Sequence, residues 1–135
     1  MLSNHSLHSP RLIKVSRNEA KARGRTVKIT CCEVGFSRGN ITPADVFVID
    51  LGHKIIRYDG EESSHDERFS SMQYCNKIMG SRGGKCRMEI IDNSNDLDEI
   101  AASIGLNDDG PTDDKINQVY SLFETFVSPE KFLKY

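Results

Sequence analysis

The stretch ADVFVIDLGHKIIRYDGEESSHDER, residues 44–68, decides the fold. Its first part, DVFVIDLG (45–52), is a near-continuous apolar run, as expected of a strand covered on both faces. Gly52 opens a turn, and KIIRYDG (54–60) reads as the hairpin partner, closed by Gly60. Ser63 or Ser64 can then cap a helix whose first turn holds Asp66 and Glu67, where the helix dipole favours acids. Asp45 thus stands directly before a strand, and Glu67 stands at the start of the next helix. Two readings of this pair remain open on spacing alone. Asp45 and Glu67 can share a cation, with backbone carbonyls near Ala44 filling an oxygen shell. Alternatively, Glu67 only complements the helix dipole and Asp45 only ends a turn.

Upstream, RLIKVS (11–16) alternates weakly and reads as a strand, RNEAKARGR (17–25) as a basic loop, and TVKITCCEV (26–34) as a β-branched strand paired with the first. GFSRGNITPA (35–44) is turn chemistry. Downstream, Phe69, Met72, Cys75 or Asn76, and Met79 recur at helical spacing. GSRGG (80–84) ends that helix. KCRMEIID (85–92) reads as a strand with Cys86, Met88 and Ile90 on one face. DLDEIAASIGL (96–106) predicts a short helix ending at Gly105, and NDDGPTDD (107–114) an acidic loop. KINQVYSLFETF (115–126) fits either a helix or an extended arm. The order predicts an α+β domain: a sheet of about five strands with helices on its faces. Residues 1–10 are expected to be a flexible leader, 11–106 the domain, and 107–135 an acidic linker and C-terminal tail.

A chain of 135 residues, 37% of them hydrophobic, suits one domain with one modest core. The formal net charge is -2, so the whole molecule advertises neither nucleic acid nor a membrane surface. Its distribution is uneven. Residues 1–38 carry eight Arg or Lys against Glu19 and Glu33, and residues 92–114 carry eight acids with no Lys or Arg. Such runs form a dipole, and more simply they form solvated faces. The N-terminus MLSNHSLHSPR lacks an apolar core of a signal peptide, and no run reaches membrane-span length. Cys31, Cys32, Cys75 and Cys86 show no C-x-x-C spacing, which argues against zinc and for thiols in a reducing compartment, hence a cytosolic location.

Enzymatic patterns are poor. His5, His8, His53 and His65 form no H-E-x-x-H pattern, and neither G-x-S-x-G nor a phosphate-binding loop occurs. Cys75 as a nucleophile would need an exposed thiolate, whereas the helical stripe turns it to the core. No EF-hand loop is present in DNSNDLDEIAAS or NDDGPTDDKINQ. Little aromatic interleaving accompanies the basic residues, which argues against single-stranded nucleic acid.

The parts of residues 45–68, taken in order, resemble the core signature of a gelsolin-like repeat of the gelsolin, villin and severin family. In that signature an Asp precedes an aromatic-aliphatic strand ending in Asp, a hairpin partner ends in an aromatic, one residue and Gly, and a Glu with a basic neighbour opens a long helix. Here these are Asp45, Phe47 to Asp50, Tyr58 to Gly60, and Glu67 with Arg68. Tyr58 stands where Trp is usual. RLIKVS resembles the first strand of such repeats. ERFSSMQYCNKIMGSRGGKCRMEIID and LDEIAASIGLNDDGPTDD resemble the helices, strand and acidic linker of the second repeat of gelsolin and villin. The similarity covers roughly residues 10 to 120.

The resemblance implies a central mixed five-stranded sheet between one long and one short helix, related to the cofilin-type fold. It implies calcium (Ca2+) bound by the Ala44 carbonyl, Asp45 and Glu67, with Asp108, Asp109, Asp113 and Asp114 available for a further ligand. An Asp that some repeats offer to a calcium shared with actin aligns with Met79, so that second site is not implied. It implies actin as partner, on the filament (F-actin) side and as the G-actin monomer, through Arg68 and Arg17. Phosphoinositide binding falls on Arg11, Lys14 and Arg17. Val46 and Asp59 replace the cysteines of the family's extracellular disulfide, in keeping with a cytoplasmic, cytoskeletal protein. The tail VYSLFETFVSPEKFLKY resembles a linker into a further repeat, and no first-type repeat, needed for severing and capping, is seen. The implied role is a calcium-regulated actin-binding module, not an enzyme. The alternative is a protein-interaction or phosphoinositide-binding module on the same fold without actin activity.

Overall fold

The computed structural model describes residues 9–23, 26–108 and 121–127. Strands β1 (Arg11–Arg23) and β2 (Thr26–Val34) form a long antiparallel hairpin. β3 (Val46–Asp50) pairs antiparallel with the other edge of β1, and β4 (Lys54–Asp59) pairs antiparallel with β3. Helix α1 (His65–Ser81) leads to β5 (Arg87–Ile91), which pairs parallel with β4. A parallel neighbour needs a crossover, and α1 supplies it. Helix α2 (Ser94–Ile104) follows, and β6 (Ser121–Val127) pairs antiparallel with β2. The strand order is β5-β4-β3-β1-β2-β6.

The two helices lie on opposite faces of this mixed sheet. Tyr74 and Cys75 of α1 pack with Ile13, Val15, Val46, Val48 and Ile55, while Leu97 and Ala101 of α2 pack with Leu12, Phe47, Ile49 and Ile56. Period-2 alternation along β1, β3 and β4 deals these residues to the two cores. β3 is buried at all five positions, which is why its sequence is an unbroken apolar run rather than an alternating one. The expected layering, a sheet between one long and one short helix, is the one observed.

Three local expectations are corrected. Among the described residues the sheet has six strands, not five: residues 121–127, overlapping the segment 115–126 that fits either a helix or an extended arm, extend it, and Leu122 and Phe123 pack against the α1-side core. SLFETF carries apolar residues on both parities, so its own pattern does not choose; the open edge of β2 does. Residues 17–23, read as loop, continue β1, with Arg17 opposite Ile29 and Asn18 opposite Lys28. That extension is polar because it projects past β3, so it gives no apolar signal. Cys86, just before β5, and Met88 share the α1-side core, but Ile90, expected on their face, is 50% exposed, and Ile91 instead joins the α2-side core. β5 is an edge strand, and the helices cover only part of it.

Helix ends follow the sequence signals closely. Ser64 caps α1, and Gly105 ends α2 in the left-handed region at φ 77°. The far end of α1 is pinned by Arg82, whose guanidinium donates to both oxygens of Asp50 at 2.8 and 2.7 Å and to the Gly52 carbonyl at 3.1 Å. Asp50 is 1% exposed, so the pair is one whose disruption strands a charge, at a cost of about 3–5 kcal/mol.

Candidate functional site

The loop before β3 is held by the end of β4. The Asp45 carbonyl accepts from the Gly60 amide at 3.2 Å, and the Pro43 carbonyl accepts from the Glu62 amide at 2.9 Å. A Cβ on Gly60 would fall 2.3 Å from the Pro43 oxygen and 2.5 Å from the Asp45 oxygen. Only glycine allows this approach, so the Gly60 of the signature sets the position of Ala44 and Asp45. Across from this loop, α1 begins with a capping box. The Ser64 hydroxyl accepts from the Glu67 amide at 3.3 Å, and Glu67 Oε1 accepts from the Ser64 amide at 2.8 Å and from the Ser64 hydroxyl at 3.0 Å. This reciprocal pair fixes the rotation of the first turn and turns the Glu67 side chain inward, leaving the residue only 3% exposed.

The carboxyls of Asp45 and Glu67 meet there. Burial, together with a hydrogen bond to Asp45 and the charge of Asp45, pushes the Glu67 carboxyl up to about 7, against the pull of the Ser64 donors. Two carboxyls in contact offer oxygens that a cation would bind in place of the Glu67 proton. The donor set suits calcium, which accepts carboxylate and carbonyl oxygens in loose geometry. Asp45, Glu67 and the Ala44 carbonyl would hold it. Among the described residues no group of three or more His, Cys, Asp or Glu side chains gathers, so these two acids are not joined by a third. Asp108 lies beside Gly39; Asp109, Asp113 and Asp114 lie outside the described residues. Lys14, named from sequence only as a lipid candidate, brings its Nζ to 3.9 Å from Asp45 Oδ2. A lysine in an alternating strand carried no signal for this contact.

The remaining predicted residues are dispersed. Arg68 follows Glu67 on α1 and donates to the Ser63 carbonyl at 2.7 Å and the Ser63 hydroxyl at 3.0 Å. It lines an open cleft of about 340 Å³ with Arg57, Asp59, His65, Phe69 and Met72. Arg57 is held there by a two-pronged pair with Asp59, both bonds 2.7 Å, an interaction with no sequence signal beyond an i, i+2 spacing on one strand face. Asp59 sits opposite Val46 in the β3–β4 register. Arg17 is exposed and lies two residues beyond Val15, the last β1 residue paired with β3. Arg11 pairs with Glu33 at 3.0 Å. Strand alternation puts Arg11 and Arg17 on one face of β1 and Lys14 on the other. The three lipid candidates therefore do not form one patch. Cys75 is fully buried, and burial pushes its thiol up to about 12, so it presents no thiolate at neutral pH. No helix among the described residues is long and apolar enough to cross a membrane.

No family model matches the chain. Severin from Echinococcus granulosus is 24% identical over 93 residues, 69% of this chain and 23% of that protein. Gelsolin-like protein 2 from Lumbricus terrestris is 35% identical over 74 residues, 51% of this chain and 20% of that protein. Advillin from Mus musculus is 37% identical over 79 residues, 58% of this chain and 9% of that protein. The chain thus spans less than a quarter of the length of these curated relatives. Among solved structures, Thorarchaeota 2DGel3, crystallised as a complex with rabbit actin, aligns with a TM-score of 0.53 at 21% identity, over 68% of this chain and 42% of that one. The structural likeness speaks for the fold, and the sequence relatives speak for the lineage. Together with the ordered signature from Asp45 to Arg68, the sequence relatives support a gelsolin-family repeat in this chain.

Proposed function

We propose that this chain is a calcium-regulated actin-binding module that binds the side of filaments, with Arg68 and Arg17 on the contact surface. The observation that carries the reading is the meeting of Asp45 and Glu67 at the junction of β3 and α1, directly beside Arg68. A divalent ion bound there ties the sheet to the first turn of the long helix. It takes the place of the Glu67 proton beside Asp45, stiffens the turn that carries Arg68, and so couples ion binding to the presentation of that side chain. The relatives named above support actin as partner, since one similar fold was solved in complex with rabbit actin. The module binds rather than catalyses, and its place is the cytoplasmic cytoskeleton.

The deciding experiment is filament cosedimentation across a calcium titration, run beside thermal melts. Wild type should pellet with filaments more strongly as calcium rises, and calcium should raise its melting temperature. Asp45→Ala and Glu67→Ala should each abolish that thermal gain. Arg68→Ala should weaken pelleting without lowering the melting temperature in calcium. Equal calcium stabilisation of wild type and both carboxylate variants would refute the ligand assignment.

Phosphoinositide binding by Arg11, Lys14 and Arg17 is the lesser reading. It must break the Arg11–Glu33 and Lys14–Asp45 pairs and draw on both faces of β1. Liposomes carrying phosphoinositide, tested against wild type and the triple neutral variant, measure it directly.

A further inference from the structure

We propose that Lys14 is a built-in competitor cation for the Asp45–Glu67 pair, sitting against Asp45 in the metal-free form and lowering the affinity for calcium. The inference rests on the reading of that pair as a calcium site and adds to it the residue that sets its strength.

The geometry carries it. Lys14 Nζ stands 3.9 Å from Asp45 Oδ2, with the two side chains 36% and 18% exposed. The β1–β3 register puts Lys14 opposite Phe47, so Asp45, two residues earlier, is its diagonal neighbour across the sheet. Diagonal neighbours of this kind are within reach of a long side chain. The guanidiniums close to the site are committed elsewhere: Arg57 to Asp59, and Arg68 to Ser63. Among the described residues, Lys14 is therefore a cation that the fold delivers to the carboxylate just before β3.

A calcium ion sits about 2.3–2.6 Å from each carboxylate oxygen it binds. An ammonium left 3.9 Å from the same carboxylate would then stand within roughly 6.5 Å of a doubly charged ion. That is inside the screening length of about 8 Å at physiological ionic strength, so the repulsion is not lost to salt. The Lys14 stem is flexible and its head is partly in water, so calcium can enter by pushing the ammonium aside. The competition weakens binding without blocking it. A partly exposed ion pair of this kind is worth enough to shift the affinity by about threefold to fivefold.

The test is titration calorimetry of calcium into the full chain, as wild type, Lys14→Met, Lys14→Arg and Lys54→Met. Lys54 pairs with Glu89 at the opposite end of β4 and controls for the loss of one positive charge anywhere on the molecule. The expected result is that Lys14→Met tightens the Kd about threefold to fivefold, while Lys14→Arg and Lys54→Met stay within about twofold of wild type. Calcium binding by Lys14→Met but not by wild type would support the proposal still more strongly. Wild-type binding that Lys14→Met leaves unchanged or weaker overturns the competitor role and leaves the calcium reading standing, as does equal tightening by Lys54→Met. If no variant binds calcium, the site itself is refuted and the competitor with it. Should Lys14→Met fail to fold, Lys14→Gln answers the same question.

Discussion

Glu67 closes the capping box of α1 and also faces Asp45, and the two roles pull its proton in opposite directions. The donors of Ser64 favour the carboxylate, whereas burial and Asp45 favour the acid, and the acid side prevails up to about pH 7. The consequence for stability has a definite sign. Below the ordinary glutamate pKa of about 4.5 the group is protonated in both folded and unfolded chains and contributes no slope. Between about 4.5 and about 7 the unfolded chain gives up the proton that the folded chain keeps, so stability without calcium falls as pH rises. Calcium needs the deprotonated pair, so its stabilising effect should grow over the same window and be larger at pH 8 than at pH 6. Glu67→Gln retains the capping-box chemistry and should flatten the calcium-free slope across this window while losing the calcium response. Thermal melts from pH 5 to pH 8, with chelator and with calcium, measure both effects; an unchanged slope in Glu67→Gln would assign the pH dependence elsewhere.

The elements that make the site are a strand start, a strand end and a helix start. Each was marked in the sequence by an ordinary local signal: an Asp before an apolar run, a Gly after a hairpin partner, a Ser three residues before a Glu. Their joint meaning depends on contacts between them. Gly60 shows this best. In sequence it is a turn residue; in the fold it is the one position where the backbone of β4 can touch the carbonyls of Pro43 and Asp45. Gly60→Ala should therefore force the 43–45 loop away from the end of β4, lower the denaturant midpoint by an amount matching about 1–3 kcal/mol, and weaken calcium binding although no ligand is altered. A calcium affinity equal to wild type in that variant would separate the loop position from the site. At the other end of α1, the Arg82–Asp50 pair was also half legible. A lone acid inside the run VFVID demands a partner, but nothing in the spacing says that the partner stands 32 residues away.

At the scale of the molecule, the sheet is longer than its signature region. β6 closes the open side of β2, and the Phe123 ring lies tilted against Tyr74 of α1 with centroids 6.0 Å apart, while Lys77 Nζ stands 5.6 Å from the Phe123 ring centre. Leu122 and Phe123 of β6 thus pack against the α1-side core. Ending the chain before Ser121 should expose the edge of β2 and uncover part of α1. Amide exchange from Val27 to Cys32 should then speed up markedly, with little change in β3 and β4. Uniform protection in β2 with and without the segment would show that the sixth strand adds no stability.

The residues of the chain determined by themselves that an apolar strand, its hairpin partner and a capped helix follow one another from Asp45 to Ser81, because burial on both faces, turn chemistry and capping all act over a few residues. They determined in the same way that the second helix ends at Gly105. Tertiary structure alone decided that β1 runs on through a polar stretch to Arg23, that residues 121–127 become a strand, that Ile90 is left outside, and that Lys14 reaches Asp45. These depend on which edge is open, which face is covered and which side chain stands diagonal to which across the sheet, and no local pattern encodes a neighbour that is distant along the chain.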